Sequence, residues 1–170
     1  MPTKAMRDVT QSPSQPFSHL DASGAAHMVD VSDRPTTARE ATASGRVELG
    51  PDTVAAIRDA SVPKGDVLAV ARIAGIAAAK RTPDLVPLCH PIAIHAVAVE
   101  LEVDDAGVAI LARVRTADRT GVEMEALTAV VVAALTVIDM VKSVDPGATI
   151  TEVHVDAKSG GRSGEWQRTQ

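Results

Sequence analysis

Aromatic side chains are almost missing from this chain: among 170 residues there are one Phe, one Trp and no Tyr. That shortage argues against the stacking platforms with which proteins hold single-stranded nucleic acid. A single cysteine, Cys89, excludes an internal disulfide and any Cys-x-x-Cys metal clip. Positive charge is also short, with 17 Lys and Arg against 22 Asp and Glu for a formal net charge of -5, which does not suit a generic binder of nucleic acid or membrane surface. No apolar run reaches membrane-spanning length without a Thr or Glu interrupting it, and no signal peptide is visible, so the chain reads as soluble and cytoplasmic. What remains for a core is Ala, Val, Ile and Leu. Such small side chains let helices lie close but bury little area each, and a chain built this way often completes its core by oligomerising.

The length suits one domain with one core. Residues 1–17 have loop composition and read as an N-terminal tail, residues 18–166 as the single domain, and residues 167–170 as a C-terminal tail. Asp21-Ala22-Ser23-Gly24 is a turn signal. A strand is expected over 41–49, stopped by Gly50-Pro51, and a short helix over 52–60. Asp66 can cap a second helix over 67–80, which Thr82-Pro83 stops, and Gly75 inside it marks a close backbone approach. Alternating residues over 95–103 and 108–114, joined by Asp104-Asp105-Ala106-Gly107, predict a hairpin. A long helix over 122–143 and a last strand over 149–157 follow. In order this is β-α-β-β-α-β with an extra short helix, an α+β chain of ferredoxin-like type: an antiparallel sheet with helices on one face.

The long helix carries the strongest local signal. It enters on Glu123 and Glu125, runs without charge to Asp139, and ends beside Lys142. Acids at its start suit the helix dipole, whereas Asp139 near its end opposes it. Either Asp139 and Lys142 form an ordinary i,i+3 pair, worth about 0.2–0.5 kcal/mol, or they are an acid–base pair at a pocket mouth. A helix apolar on nearly every side should be buried on nearly every side.

Other candidates are open to two readings. Lys64, just before a helix start, is either a solvated lysine or part of a phosphate cradle, although the Walker spacing is missing. Arg39 with Glu40 reads as a surface pair, and Lys80-Arg81 as compensation for a helix end. The segment from Lys158 through Gly164 is either a frayed glycine-rich tail or an anion-binding loop with Lys158 aimed inward. Cys89-His90 does not make a metal pair, because neighbours on an extended segment point to opposite faces and no zinc spacing occurs elsewhere. His90, between prolines, is better suited to hydrogen bonding or proton transfer. No nucleophile elbow is present. Basic groups outnumber acids around these motifs, which suits a polyphosphate substrate and proton-transfer chemistry.

Longer motifs add to this reading: Met28-Val29-Asp30-Val31-Ser32, Lys64-Gly65-Asp66-Val67, Ala71-Arg72-Ile73-Ala74-Gly75-Ile76, Ala79-Lys80-Arg81-Thr82 and Pro87-Leu88-Cys89-His90-Pro91. Arg119 through Thr128, Asp139-Met140 and Ala157-Lys158-Ser159-Gly160-Gly161 continue the series. Together, from about His19 to Trp166, they resemble the MoaC family of molybdenum cofactor biosynthesis, the cyclic pyranopterin monophosphate synthases. Two departures, Ile138 where many relatives carry Tyr and Ala77 where a larger residue is common, look like packing changes.

The resemblance implies a lyase that converts a cyclised dihydro-GTP to cyclic pyranopterin monophosphate and releases pyrophosphate. It implies catalytic roles for Asp139, Lys64 and Lys142, and substrate binding by Leu88, Cys89, His90, Glu123, Met124, Glu125, Arg39 and Lys158. It implies no required cofactor and no protein-bound metal, with Mg2+ entering only alongside the triphosphate. The implied assembly is a homohexamer, a trimer of dimers with sites at dimer interfaces, and no nucleic-acid or membrane partner. On this basis Asp139 and Lys142 form an acid–base couple, each keeping the other near a useful pKa. A site is expected to take Lys64 from one protomer and Asp139 from its neighbour. The alternative is a non-catalytic, nucleotide-binding ferredoxin-like module; a metal-dependent hydrolase using His90 is a further rival.

Overall fold

The computed structural model describes residues 25–162 and 164–169. The expectations for the tail over 1–17 and for the turn at Asp21-Ala22-Ser23-Gly24 therefore lie outside the described residues. The chain runs through β1 (Thr37–Glu48), α1 (Pro51–Arg58), α2 (Val67–Ala79), α3 (Thr82–Leu85), β2 (Ile94–Asp104), β3 (Gly107–Asp118), α4 (Glu123–Val141), β4 (Thr149–Ser159) and β5 (Trp166–Gln167). One sheet has the order β2-β3-β1-β4-β5, and every pairing is antiparallel. This is the ferredoxin-like arrangement expected from the element order.

Alternation builds the sheet. Ala41, Ala43 and Val47 on β1, and Val108, Ile110, Ala112 and Val114 on β3, turn to one face and are buried there. The polar residues between them form the other face, where Glu40 meets Arg113 and Arg115 at 3.8 and 3.3 Å. The sequence reading paired Glu40 with its chain neighbour Arg39. In a strand those two point to opposite faces, and the cross-strand arginines take the carboxylate instead.

On the apolar face α4 packs against β1, β3 and β4, and α2 packs on α4. Asp66 caps α2 as expected, its Oδ1 accepting the Ala69 N–H at 2.9 Å. Gly75 marks the close approach: a Cβ there would lie 2.8 Å from the Ala129 carbonyl oxygen and 3.3 Å from the Ala133 Cβ. Alanines at 71, 78, 126, 129 and 133, all buried, keep the two helices near each other along this contact. Thr82-Pro83 ends α2, but the same proline, at the start of a new turn, opens the one-turn α3 that the sequence reading missed. Trp166–Gln167 also pairs, against Ala157 and Lys158, and so adds a fifth strand.

By length and composition α4 could cross a bilayer, with a mean hydropathy of 2.0. Ten of its residues are nonetheless buried within this fold. Within the single chain its burial is one-sided: Met124, Val131 and Leu135, on one stripe, are 40%, 36% and 53% exposed.

Candidate active site

The turn before α2 places the first candidate group. Gly65 adopts φ +100, a conformation that favours glycine, and its N–H closes the turn onto the Val62 carbonyl at 3.0 Å. Lys64 thereby leans across to the end of α4. Its Nζ donates to the Asp139 Oδ2 at 2.9 Å and to the Asp139 backbone carbonyl at 2.6 Å. Lys142 Nζ meets Asp139 Oδ1 at 2.7 Å. One carboxylate thus holds two ammonium groups, at a helix end whose own carbonyl also accepts a hydrogen bond from Lys64.

Two expectations change here. Lys64 and Asp139 belong to one cluster of the same chain, not to neighbouring protomers. Nor does the cluster keep Asp139 near a useful pKa: hydrogen bonds from Lys142 and then Lys64 hold its carboxyl down at about 2. Asp139 is therefore a permanent carboxylate at working pH. It holds both lysines in place and counters their charge.

A second cluster forms at the other end of α4. Leu88, Cys89 and His90, in the segment before β2, face Glu123, Met124 and Glu125 at the helix start. With Val29, Val31, Arg34, Thr120 and Gly121 they line a cavity of about 350 Å3. His90 Nε2 donates to the Val29 carbonyl at 2.7 Å, since a carbonyl only accepts, and this contact fastens the segment before β1 over the cavity. The bond assigns the Nε2–H to the protein and leaves Nδ1 for a ligand. Cys89 has its thiol pushed up, mainly by burial and then by the Glu125 charge, so it enters as a thiol.

Beside this cavity, Lys158 Nζ donates to Glu123 Oε1 at 2.9 Å. A smaller space of about 150 Å3 opens there between Arg34, Arg39, Glu123, Lys158, Ser159 and Gly160. Lys158 and Ser159 belong to β4, and Gly160, at φ +89, lies against the Ala38 carbonyl. The frayed-tail reading of this segment is thus replaced by an ordered strand end with its lysine turned toward α4. Arg39 is committed to the backbone: Nε donates to the Asp118 carbonyl at 3.0 Å and Nη2 to the Arg119 carbonyl at 3.1 Å. It fixes the turn that delivers Glu123, with one edge of the guanidinium along the smaller space.

Arg34 is the residue the sequence reading passed over. It lines both spaces and a third next to them with Asp33, Arg39 and Arg162. Its signal was its place two residues after the Met28–Ser32 motif. Among the described residues no group of three or more His, Cys, Asp or Glu side chains is placed to hold a metal ion.

The expected site residues therefore fall into two groups. Fourteen positions at ~1.5 Å each separate Glu125 from Asp139, so the clusters stand roughly 21 Å apart along α4. The fold and these clusters define a ferredoxin-like α+β protein with a charged cavity at one end of a helix and a lysine–carboxylate group at the other. Residues 28–161 match the model of the MoaC family, and the chain belongs to that family. It is 61% identical over 159 residues to a cyclic pyranopterin monophosphate synthase of Streptomyces coelicolor, covering 94% of each chain. A protein of the same name in Thermomicrobium roseum is similar, at 56% identity over 89% of this chain and 93% of the relative. A cyclic pyranopterin monophosphate synthase 2 of Mycobacterium tuberculosis is 55% identical over 89% and 91%.

Proposed function

We infer that this chain is a cyclic pyranopterin monophosphate synthase, an enzyme of molybdenum cofactor biosynthesis that rearranges a cyclised dihydro-GTP and releases pyrophosphate. The observation that carries this reading is the Lys64–Asp139–Lys142 cluster, two proton donors held on one carboxylate at distances of 2.6–2.9 Å. Ring opening, pterin closure and cyclic phosphate formation all need protons moved at defined atoms. The lysines supply and recover those protons, while Asp139 fixes their position. Glu123, Met124 and Glu125 hold the guanine-derived ring with Leu88, Cys89 and His90. Lys158, Arg34 and Arg39 face the triphosphate, where cations offset the charge that grows as pyrophosphate leaves.

A ring seated in the cavity cannot touch Asp139 of the same chain, roughly 21 Å away along α4. The working site accordingly combines the cavity of one protomer with the lysine–carboxylate cluster of its partner. Support comes from α4 itself. The exposed stripe of Met124, Val131 and Leu135 runs from the cavity toward the cluster. Two antiparallel copies joined through it by a two-fold axis would bury that stripe and bring each cluster to the other's cavity. Three such dimers would make the homohexamer.

Pyrophosphate release from the cyclised dihydro-GTP tests the activity. Lys64→Ala, Asp139→Asn and Lys142→Ala should each lose ~10²–10⁴-fold in turnover with unchanged circular dichroism. Near-wild-type rates in all three would remove the mechanism, and substrate binding without turnover by the wild-type protein would return the chain to the binding-module reading.

A further inference from the structure

Glu123 and Glu125 leave the same helix start into different surroundings. Glu123 is the ionised member, with Lys158 Nζ on its Oε1 at 2.9 Å and its side chain 28% exposed. Glu125 is 3% exposed and lines the cavity beside Cys89 and His90. Among the described residues, none of the neighbouring cations pairs with it. Arg34, from the segment before β1, lines the same cavity without an ion pair to it, the His90 Nε2–H goes to Val29, and Lys158 is held by Glu123. Among the described residues, the one charge that acts on it is Glu123, of like sign. A carboxyl so buried, facing an anion and paired with no cation among the described residues of its own chain, keeps its proton.

Resting on the synthase reading above, we propose that Glu125 is the cavity's neutral hydrogen-bond donor, giving its O–H to the ring carbonyl of the guanine-derived heterocycle. Guanine presents its carbonyl oxygen as an acceptor on one edge, and the dihydro ring keeps that carbonyl while its N7 carries a hydrogen. Glu123, ionised, accepts from the ring's N–H groups instead. Two carboxylates of one type thereby take opposite parts because their environments differ. Desolvation, opposed by the hydrogen bond from its own backbone N–H and reinforced by the Glu123 charge, pushes Glu125 up to about 7, so the donor is present below neutrality and is lost above it.

KM measured from pH 6 to pH 8 tests this in the assembled enzyme. The wild type should bind about tenfold more weakly at pH 8 than at pH 6, as the donor deprotonates and becomes a second anion. Glu125→Gln keeps an N–H donor of the same shape at every pH, so its KM should stay flat and close to the wild-type value at pH 6. Glu125→Ala should be flat and about tenfold weaker. A Gln variant as weak as the Ala variant at pH 6, or one that keeps the wild-type pH dependence, would overturn the proposal. Carboxyl-carbon NMR gives a readout that needs no substrate. A glutamate resonance titrating at about 7 and missing from Glu125→Gln supports it, and a Glu125 resonance that titrates in the ordinary carboxylate range overturns it. Absence of turnover in the wild type would refute the synthase reading, while the NMR titration would still decide the state of Glu125.

Discussion

Replacing Gly75 with alanine should damage both stability and catalysis, although alanine is the better helix former. In an open helix the substitution would gain about 1 kcal/mol. Here the new Cβ would sit 2.8 Å from the Ala129 carbonyl oxygen and 3.3 Å from both the Ala133 Cβ and the Val99 Cγ2. The first contact is with backbone, which cannot rotate away, so α2 must move off α4. Overpacking of this kind costs about 1–3 kcal/mol, and the net loss should be about 1 kcal/mol. The same displacement reaches the chemistry, because Lys64 precedes α2 whereas Asp139 lies on α4, and their 2.9 Å contact bridges the two helices. A misplacement of ~1 Å can cost ~10²-fold in rate. Thermal unfolding at fixed protomer concentration, with turnover measured on the still-folded protein, gives both numbers. Adding Ala133→Gly should not rescue the variant, since the carbonyl contact remains. A Gly75→Ala protein as stable and as active as the wild type would refute the close-packing argument.

Two further outcomes follow from the cavity. The folded Glu125 carboxyl titrates at about 7, above its usual 4.5, so the folded state holds a proton that the unfolded state has lost. Stability therefore falls as pH rises through this window, by about 3 kcal/mol in full. Glu125→Gln should accordingly gain on the wild type between pH 5 and pH 8 in denaturant titrations, and a pH-independent difference would contradict this. His90→Ala should raise KM several-fold by releasing the segment held at Val29, with faster proteolysis near residues 25–34, whereas a pure kcat defect would favour a proton-shuttle role.

Much of this architecture is legible in the residues themselves. The Asp66 cap, the turn at Asp104–Gly107 and the alternation along β2 and β3 are local signals, and the order of elements then leaves few topologies. The small residue at position 75 also announced its contact. Long-range side-chain geometry was not legible. Lys64 and Asp139 are 75 positions apart, and nothing local to either shows that one turn and one helix end meet. Arg39 and Glu40 are adjacent in sequence, yet the pleat sends them to opposite faces. The exposed stripe of α4 was hidden for a related reason: an uncharged helix reads as buried everywhere, whether its last face is covered by its own sheet or left for another copy.

The central claim is that each site joins the cavity of one protomer to the lysine–carboxylate cluster of another. Co-assembly of two inactive variants, Lys158→Ala and Asp139→Asn, verified by differential tags, tests it most directly. Half of a mixed population pairs unlike chains, and each such pair has one undamaged site, so activity should return to about a quarter of wild type. The pair Lys64→Ala and Asp139→Asn, which damages a single cluster, should show no such recovery. If the first mixture stays as inactive as its components, or the second recovers equally well, the shared site is contradicted.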